Sequence, residues 1–342
     1  MNRQSRCLRL GAGLILLAVA LRLVSNGIGG KVMAFFGKPE TVQYLLYLQS
    51  GRVLRPAEQE TTAPTQPAVT ETAETASSEP EVAALPVFSG EDSALVDIRY
   101  GSSYSPDIGA LLCSALSWDL TQKGPAVLIC HSHATESYTK TAQETYTESS
   151  AYRTLDTNYN MVSIGDHLAR LLRQQGIGVI HDRSLHDEPS YSGAYGSSRK
   201  SVQAYLEQYP SIQLVIDLHR DALSLDSEQQ LSTHALVGDK ASAQLMMVVG
   251  TDGSGLNHPN WQENLALALK LHVALEKAYP GIMRPISFRS QRFNQDLSGG
   301  AVLIEVGAAG DTHAEALTAT EALAEAIVSL ARGTAGKEEL PS

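Results

Sequence analysis

Short apolar runs alternate with longer helical patterns from residue 91 onward, and this alternation restricts the fold more than any other feature. The runs AVLIC (126–130), IQLVIDLH (212–219) and AVLIEVG (301–307) are typical of buried β-strands. Between them lie segments of helical periodicity, such as 160–176, which ends at a glycine, and 260–279, which ends before a proline. Strands separated by helices predict an α/β domain with a mostly parallel sheet flanked by helices on both faces.

The same pattern predicts the remaining elements of this domain. Further strands are expected at 177–182 and 243–250, and further helices at 197–209 and 313–333. In folds of this kind, ligands bind outside the carboxyl ends of the parallel strands. We therefore expect the functional residues immediately after the strands.

The N-terminus has the pattern of a membrane signal. Three arginines precede the apolar run 10–21, and a positive flank before an apolar run is typical of an export signal. We interpret residues 1–30 as an uncleaved signal anchor, with AVA at 18–20 leaving cleavage as the alternative. Because positive residues stay on the cytoplasmic side, the sequence predicts a single-pass protein of the cell membrane whose soluble part is extracytoplasmic.

The composition changes sharply between the anchor and the α/β pattern. Residues 56–81 are mostly Thr, Glu, Ala, Pro and Ser, with no aromatic residue. Such a segment cannot bury enough apolar surface to offset the entropy lost on ordering. We therefore interpret residues 31–90 as a juxtamembrane segment and disordered linker, and residues 91–336 as the functional α/β domain.

The charge balance excludes one class of partner. The chain has 37 acidic and 26 basic residues, a formal net charge of −11, and no basic cluster in its soluble part. Binding to nucleic acid requires clustered Lys and Arg, so no nucleic acid partner is expected. The three cysteines are too few and too scattered for a disulfide framework.

Groups that can bind a metal or transfer a proton lie at three of the predicted strand ends. His131 and His133 follow the first strand, His219 ends the strand at 212–219, and Glu305 lies within the last strand. The carboxyl ends of neighbouring parallel strands meet at one edge of a sheet, where these side chains would converge.

This set of side chains predicts a zinc site. Catalytic zinc has three protein ligands of the His and carboxylate type and leaves a fourth position for water. His133 and His219 are the expected nitrogen ligands, and the third ligand is expected to be a carboxylate, either Asp156 or Glu136. Glu305 is the expected general base, which takes a proton from that water and passes it to a leaving amine.

Six motifs occur in order through the soluble part: HSHATESY, RTLDTNYNMVSIGDHLARLL, HDEPSYSGAYGSSRKSV, VIDLHRDA, NHPNWQENLALALKLHVAL and LIEVGAAGD. Together they resemble the stage II sporulation protein P family over residues 90–335. The resemblance implies the phosphorylase/hydrolase-like fold of the amidase_3 type and a relation to zinc-dependent N-acetylmuramoyl-L-alanine amidases. It also implies peptidoglycan cleavage during engulfment in endospore formation, at the amide bond to muramic acid and at peptide cross-links.

The resemblance further implies partners and a location. The implied partners, besides peptidoglycan, are stage II sporulation protein D, a lytic transglycosylase, and stage II sporulation protein M, a multi-pass membrane protein. The implied location is the intermembrane space at the sporulation septum.

The resemblance also implies roles for individual residues. His133 resembles the histidine of the amidases' Asp-Pro-Gly-His turn, His219 the second histidine ligand, and Glu305 the catalytic carboxylate. The Asp-Pro-Gly part of that turn is replaced by Cys-His-Ser, which leaves His131 as an alternative ligand.

The implied carboxylate ligand is less directly matched. Asp156 stands four residues before Asn160, where the wider amidase family has a longer glutamate. Glu136 is the alternative, either as the ligand or as a group that contacts substrate and transfers protons. This departure keeps a second function open, a membrane-tethered and non-catalytic wall-binding or scaffold protein with a degenerate site.

Overall fold

The computed structural model describes residues 88–116, 118–224 and 230–335. The predicted anchor (1–30) and nearly all of the predicted linker (31–90) lie outside the described residues and stay predictions. Among the described helices, none is both long and apolar enough to cross a membrane. The elements are β1 (Ile98–Gly101), α1 (Ile108–Cys113), β2 (Val127–Cys130), α2 (Met161–Gln174), β3 (Val179–His181), α3 (Ala194–Gln208), β4 (Leu214–Asp221), β5 (Ala235–Val237), β6 (Lys240–Ser242), β7 (Leu245–Val249), α4 (Trp261–Ala278), β8 (Ile286–Arg289), β9 (Ala301–Ala308) and α5 (His313–Ala335).

Seven of these strands form one sheet in the order β1-β8-β7-β9-β4-β2-β3. Strands β9, β4, β2 and β3 are parallel to one another, and so are β1, β8 and β7. The two groups meet where β7 pairs antiparallel with β9. The sheet is therefore mixed and mostly parallel, which confirms the predicted α/β class.

The reversal at β7 was not predicted, and the path of the chain explains it. The chain leaves β4 at Asp221, forms the antiparallel hairpin β5–β6, and re-enters the sheet at Leu245. Leu245 pairs with Val306 near the end of β9, whereas Asp221 pairs with Ala308. The chain thus re-enters at the edge where it left, without the crossover that a parallel connection requires.

Alternation along the strands divides the apolar residues between two cores. In β2, Val127 and Ile129 belong to the larger core, which includes residues of α2, α4 and α5. Leu128 and Cys130 belong to a smaller core together with Val202 of α3. Helices therefore cover both faces of the sheet, as the continuous apolar character of the strands predicts.

The sequence of helix α2 accounts for its start, its end and its buried face. The side chain of Asn160 caps its first turn by accepting a hydrogen bond from Val162 N at 3.0 Å. Gly176 follows the helix with φ of 82°, and Ile177 N donates to Leu172 O at 3.1 Å, which closes the last turn. The buried residues recur at helical spacing: Met161, Ile164, Leu168 and Leu172.

Gly165 in α2 generates a testable prediction about stability. A Cβ atom at this position would lie 2.6 Å from His131 Nε2 and still closer to His181 Nε2. Gly165→Ala should therefore lower the free energy of unfolding by about 1–3 kcal/mol, as overpacking does. Urea unfolding measures the change.

A matched control lies in α3. No atom lies within 4 Å of a Cβ built at Gly196. Gly196→Ala should raise the free energy of unfolding by about 0.4–1 kcal/mol, because it restricts the unfolded chain without a clash. Equal stabilisation by both substitutions would contradict the close approach of α2 to the histidine pair.

Candidate metal centre

The centre begins with two neighbouring strands of the sheet. His219 of β4 and Glu305 of β9 are direct partners in the parallel register. Asp217 lies two residues before His219, so both side chains project from the same face. That face carries the smaller core, to which Val215 belongs. Three ionisable side chains therefore come together on the α3 side of the sheet, near the carboxyl ends of β4 and β9.

The loop after β2 adds His133 and Glu136. Glu136 forms an isolated antiparallel bridge with Arg153, so this part of the loop is extended and paired. The hydroxyl of Tyr138 donates to Val306 O at 2.8 Å and fastens the loop to β9. The loop thereby holds the Glu136 side chain against the end of β4.

His133, Glu136 and His219 form a group that fits a metal ion. Each offers one ligand atom, and these atoms all lie within 4.8 Å of one another. Nδ1 of His133 is 3.6 Å from one carboxylate oxygen of Glu136, and Nδ1 of His219 is 3.5 Å from the other. Ligand atoms of tetrahedral zinc lie about 3.3 Å apart, given bonds of about 2.0–2.1 Å. The donor set also matches zinc, with two imidazoles and one carboxylate.

The Glu136 carboxylate is ionised although it is buried. Burial alone would raise its pKa, but the imidazole of His219 and the charge of Arg220 hold the pKa at about 2. Arg153 Nη2 lies 3.1 Å from one oxygen, and the backbone N of Arg220 donates to the other at 3.3 Å. Metal binding requires a deprotonated carboxylate, and this environment supplies one.

Asp217 orients the His219 ring. Its Oδ1 lies 3.0 Å from His219 Nε2, and it accepts hydrogen bonds from the Ser132 amide and hydroxyl at 2.7 and 2.6 Å. Burial opposes protonation of His219, but Asp217 and Glu136 together raise its pKa well above the ordinary value. A carboxylate behind the imidazole leaves Nδ1 facing Glu136. A cation bound there would replace the imidazolium proton as the counter-charge.

Glu305 lies beside this group without belonging to it. Burial raises the pKa of Glu305 to about 8, and the neighbouring charges of Asp221 and Glu136 act in the same direction. Its Oε2 is buried without a hydrogen-bond partner. A carboxyl group whose pKa lies near neutral pH can accept and return a proton, which is the property required of a general acid–base group.

The structure does not bring the two alternative ligands, His131 and Asp156, to the group. The His131 side chain lies on the side of the sheet that α2 covers. There its Nδ1 is 3.1 Å from Leu218 O and its Nε2 is 2.8 Å from His181 Nε2. Asp156 is half-exposed, and its Oδ1 accepts hydrogen bonds from the amide and side chain of Asn158 in a turn. The geometry therefore favours Glu136 over Asp156 and His133 over His131.

Sequence reasoning missed an aromatic rim around His133. The Tyr191 ring stacks on the His133 ring with centroids 4.4 Å apart, and the Arg153 guanidinium lies 4.6 Å from the Tyr191 centroid. The Tyr195 ring meets His133 edge-on at 5.4 Å. The sequence did contain a signal for this rim, because the two tyrosines are four residues apart near the start of a helix. Residues at this spacing lie on the same side of a helix.

Comparison with known proteins decides the family. The family model described as Stage II sporulation protein P (SpoIIP) matches residues 39–328. The chain belongs to the SpoIIP family. Stage II sporulation protein P of Bacillus subtilis (strain 168) is 29% identical over 210 residues, which are 58% of this chain and 49% of that protein. The chain thus spans about half the length of this curated relative.

Two solved structures are also similar to part of the chain. The N-acetylmuramoyl-L-alanine amidase AmiC2 of Nostoc punctiforme has 12% identity and a TM-score of 0.36, covering 64% of this chain and 100% of its own. An N-acetylmuramoyl-L-alanine amidase from Clostridium difficile 630 has 17% identity and a TM-score of 0.36, covering 65% and 100%. Both the identities and the TM-scores are low, so these two amidases do not establish the function of this SpoIIP-family member.

The group generates a prediction about metal binding. Loss of a residue that only supports a metal ligand weakens metal binding by about 10- to 100-fold. Glu136→Gln should weaken zinc binding by more than this, because it replaces a charged ligand oxygen with a neutral one. Competition with a zinc-chelating dye at neutral pH measures the affinity. Asp156→Asn is the matched control and should leave the affinity unchanged. A loss confined to Asp156→Asn would contradict the assignment.

Proposed function

We propose that this SpoIIP-family chain is a zinc-dependent peptidoglycan hydrolase, an N-acetylmuramoyl-L-alanine amidase that acts during engulfment in endospore formation. The observation that carries the proposal is the convergence of His133, Glu136 and His219 beside Glu305, whose Oε2 has no hydrogen-bond partner. Membership of a sporulation protein family supports peptidoglycan as the substrate. Cleavage of peptide cross-links is a further activity that the same chemistry can perform.

The three residues of the group would hold the zinc ion through two nitrogens and one carboxylate oxygen. Zinc bound there would lower the pKa of a bound water to about 7 and polarise a carbonyl group. Asp217 keeps the His219 ring in place, and Arg153 and Arg220 keep the Glu136 carboxylate in place.

Glu305 provides the proton transfers of amide hydrolysis. As the water oxygen forms its bond to the amide carbon, Glu305 accepts the proton that the water loses. When the carbon–nitrogen bond breaks, Glu305 returns that proton to the leaving nitrogen, which departs as a neutral amine. Its raised pKa and its position opposite His219 in the strand register support this role.

The proposal includes the cellular setting. Residues 1–30 would anchor the chain in the cell membrane and residues 31–90 would extend the hydrolase domain towards the wall in the intermembrane space. Stage II sporulation proteins D and M would be its partners there. The net charge of −11 supports a partner other than nucleic acid.

Substitution of the proposed general base tests the function. Glu305→Gln should retain zinc but lower the turnover by about 10²- to 10⁴-fold, because the amide cannot accept the proton. Release of stem peptides from purified peptidoglycan measures turnover, and metal analysis of the same sample measures zinc. A parallel loss of zinc would make Glu305 a ligand instead. A wild-type protein that binds cell wall without zinc and without cleavage would establish the non-catalytic scaffold role.

Zinc should also stabilise the fold. At a free zinc concentration about 100 times Kd, a ligand that binds only the folded state adds about 2.7 kcal/mol. Thermal unfolding with zinc and with excess chelator should therefore give a higher Tm with zinc. His133→Ala should remove this difference, and a difference of the same size in that variant would contradict the ligand assignment.

A further inference from the structure

Tyr195 occupies a position in the candidate metal centre that the proposed zinc chemistry does not use. It is the second residue of α3, at the start of the helix that covers this face of the sheet. Its ring is 5.4 Å from the His133 ring, nearly perpendicular to it, and 6.3 Å from the His219 ring, nearly parallel to it. The tyrosine therefore lies across both imidazoles of the group.

Tyr195 is partly exposed, and several charged groups act on it. Burial raises the pKa of Tyr195 strongly, and the charges of Asp217, Glu305 and Glu136 raise it further. Within the described part of the chain, no group forms a hydrogen bond with the Tyr195 hydroxyl. At neutral pH it keeps its proton and is a donor.

The neighbouring loop fixes the first turn of α3. The side chain of Asn294 donates to Tyr195 O at 2.8 Å, and the Phe293 ring packs 5.9 Å from the Tyr195 ring. Arg199, one turn further along α3, forms two hydrogen bonds of 2.8 Å with Asp296 of the same loop. The loop therefore holds Tyr195 in place before any ligand binds.

A structural role explains the ring of Tyr195 but not its hydroxyl. Phenylalanine would fill the same space against the imidazoles and Phe293. The hydroxyl of a partly exposed tyrosine can donate a hydrogen bond to water, and a bound ligand can take the place of that water. A ligand bound at the centre would accept the hydrogen bond that this hydroxyl otherwise gives to water.

We propose that the Tyr195 hydroxyl donates a hydrogen bond to the carbonyl oxygen of the scissile amide and stabilises the negative charge that develops there. The inference rests on the proposed function. As the water oxygen bonds to the amide carbon, the π-electron pair of the carbonyl moves onto its oxygen, which accepts the hydrogen bond. The pair returns when the carbon–nitrogen bond breaks, and the Tyr195 proton remains on tyrosine throughout. The surrounding carboxylates would repel the negative charge that develops on the carbonyl oxygen. A neutral hydrogen-bond donor at this oxygen offsets that repulsion.

Tyr195→Phe tests the inference on the full chain loaded with zinc. The substrate is a set of soluble disaccharide-peptide fragments of purified peptidoglycan. Loss of one such donor lowers kcat by about 10²- to 10³-fold, and we expect a fall in this range, with KM changed by less than about threefold. Zinc content and Tm should equal those of the wild type. Tyr205→Phe is the matched control on the same helix, where the ring packs against the smaller core, and its kcat should be unchanged.

The remaining outcomes separate this inference from the function on which it rests. If the wild type cleaves and Tyr195→Phe retains its kcat within about threefold, the hydroxyl has no role in the transition state and the inference is wrong. If Tyr195→Phe loses zinc, the tyrosine supports the metal instead, which also overturns the inference. If the zinc-loaded wild type releases no stem peptide, the proposed function fails and the inference fails with it.

Discussion

The pairing of β4 with both of its neighbours decides where the chemistry of this chain lies. Its register with β9 places His219 opposite Glu305, and its hydrogen bonds to the end of β2 join Asp217 to Ser132. A shift of one residue would turn Asp217 and His219 to the α2 face, away from Glu136. The apolar residues that alternate with them on β4 lie in the larger core and oppose such a shift.

The concentration of buried charge at this edge is unfavourable for stability alone. Glu136 and Asp217 are buried and Glu305 is half-buried, and an unpaired buried charge costs several kcal/mol. Arg153 and Arg220 compensate Glu136, whereas Oε2 of Glu305 is buried without a hydrogen-bond partner. Perturbed ionisable groups of this kind concentrate at functional sites. A bound cation would balance the excess negative charge, so the electrostatics and the donor geometry lead to the same proposal.

The sequence was sufficient for the long buried strands and the helices between them, and insufficient for the short strands and the loops. The apolar run before His131 and the strand ending near His219 were recognisable because burial on both faces leaves a continuous apolar pattern. The short strands β1 and β8 and the reversal of β7 were missed, because four-residue strands of mixed polarity have a weak pattern and chain direction depends on tertiary contacts. Glu136 was distinguished from Asp156 only by the folded loop, which places Glu136 beside His133 and His219. Tyr195 approaches the centre through tertiary packing of α3, which periodicity does not encode.

The most direct test of the metal centre is anomalous X-ray diffraction at the zinc edge from crystals of the zinc-loaded protein. It should show one ion bound by His133, Glu136 and His219, with Glu305 near the open position and not bound to the metal. An ion coordinated by His131 or Asp156, or bound directly by Glu305, would contradict the proposed centre.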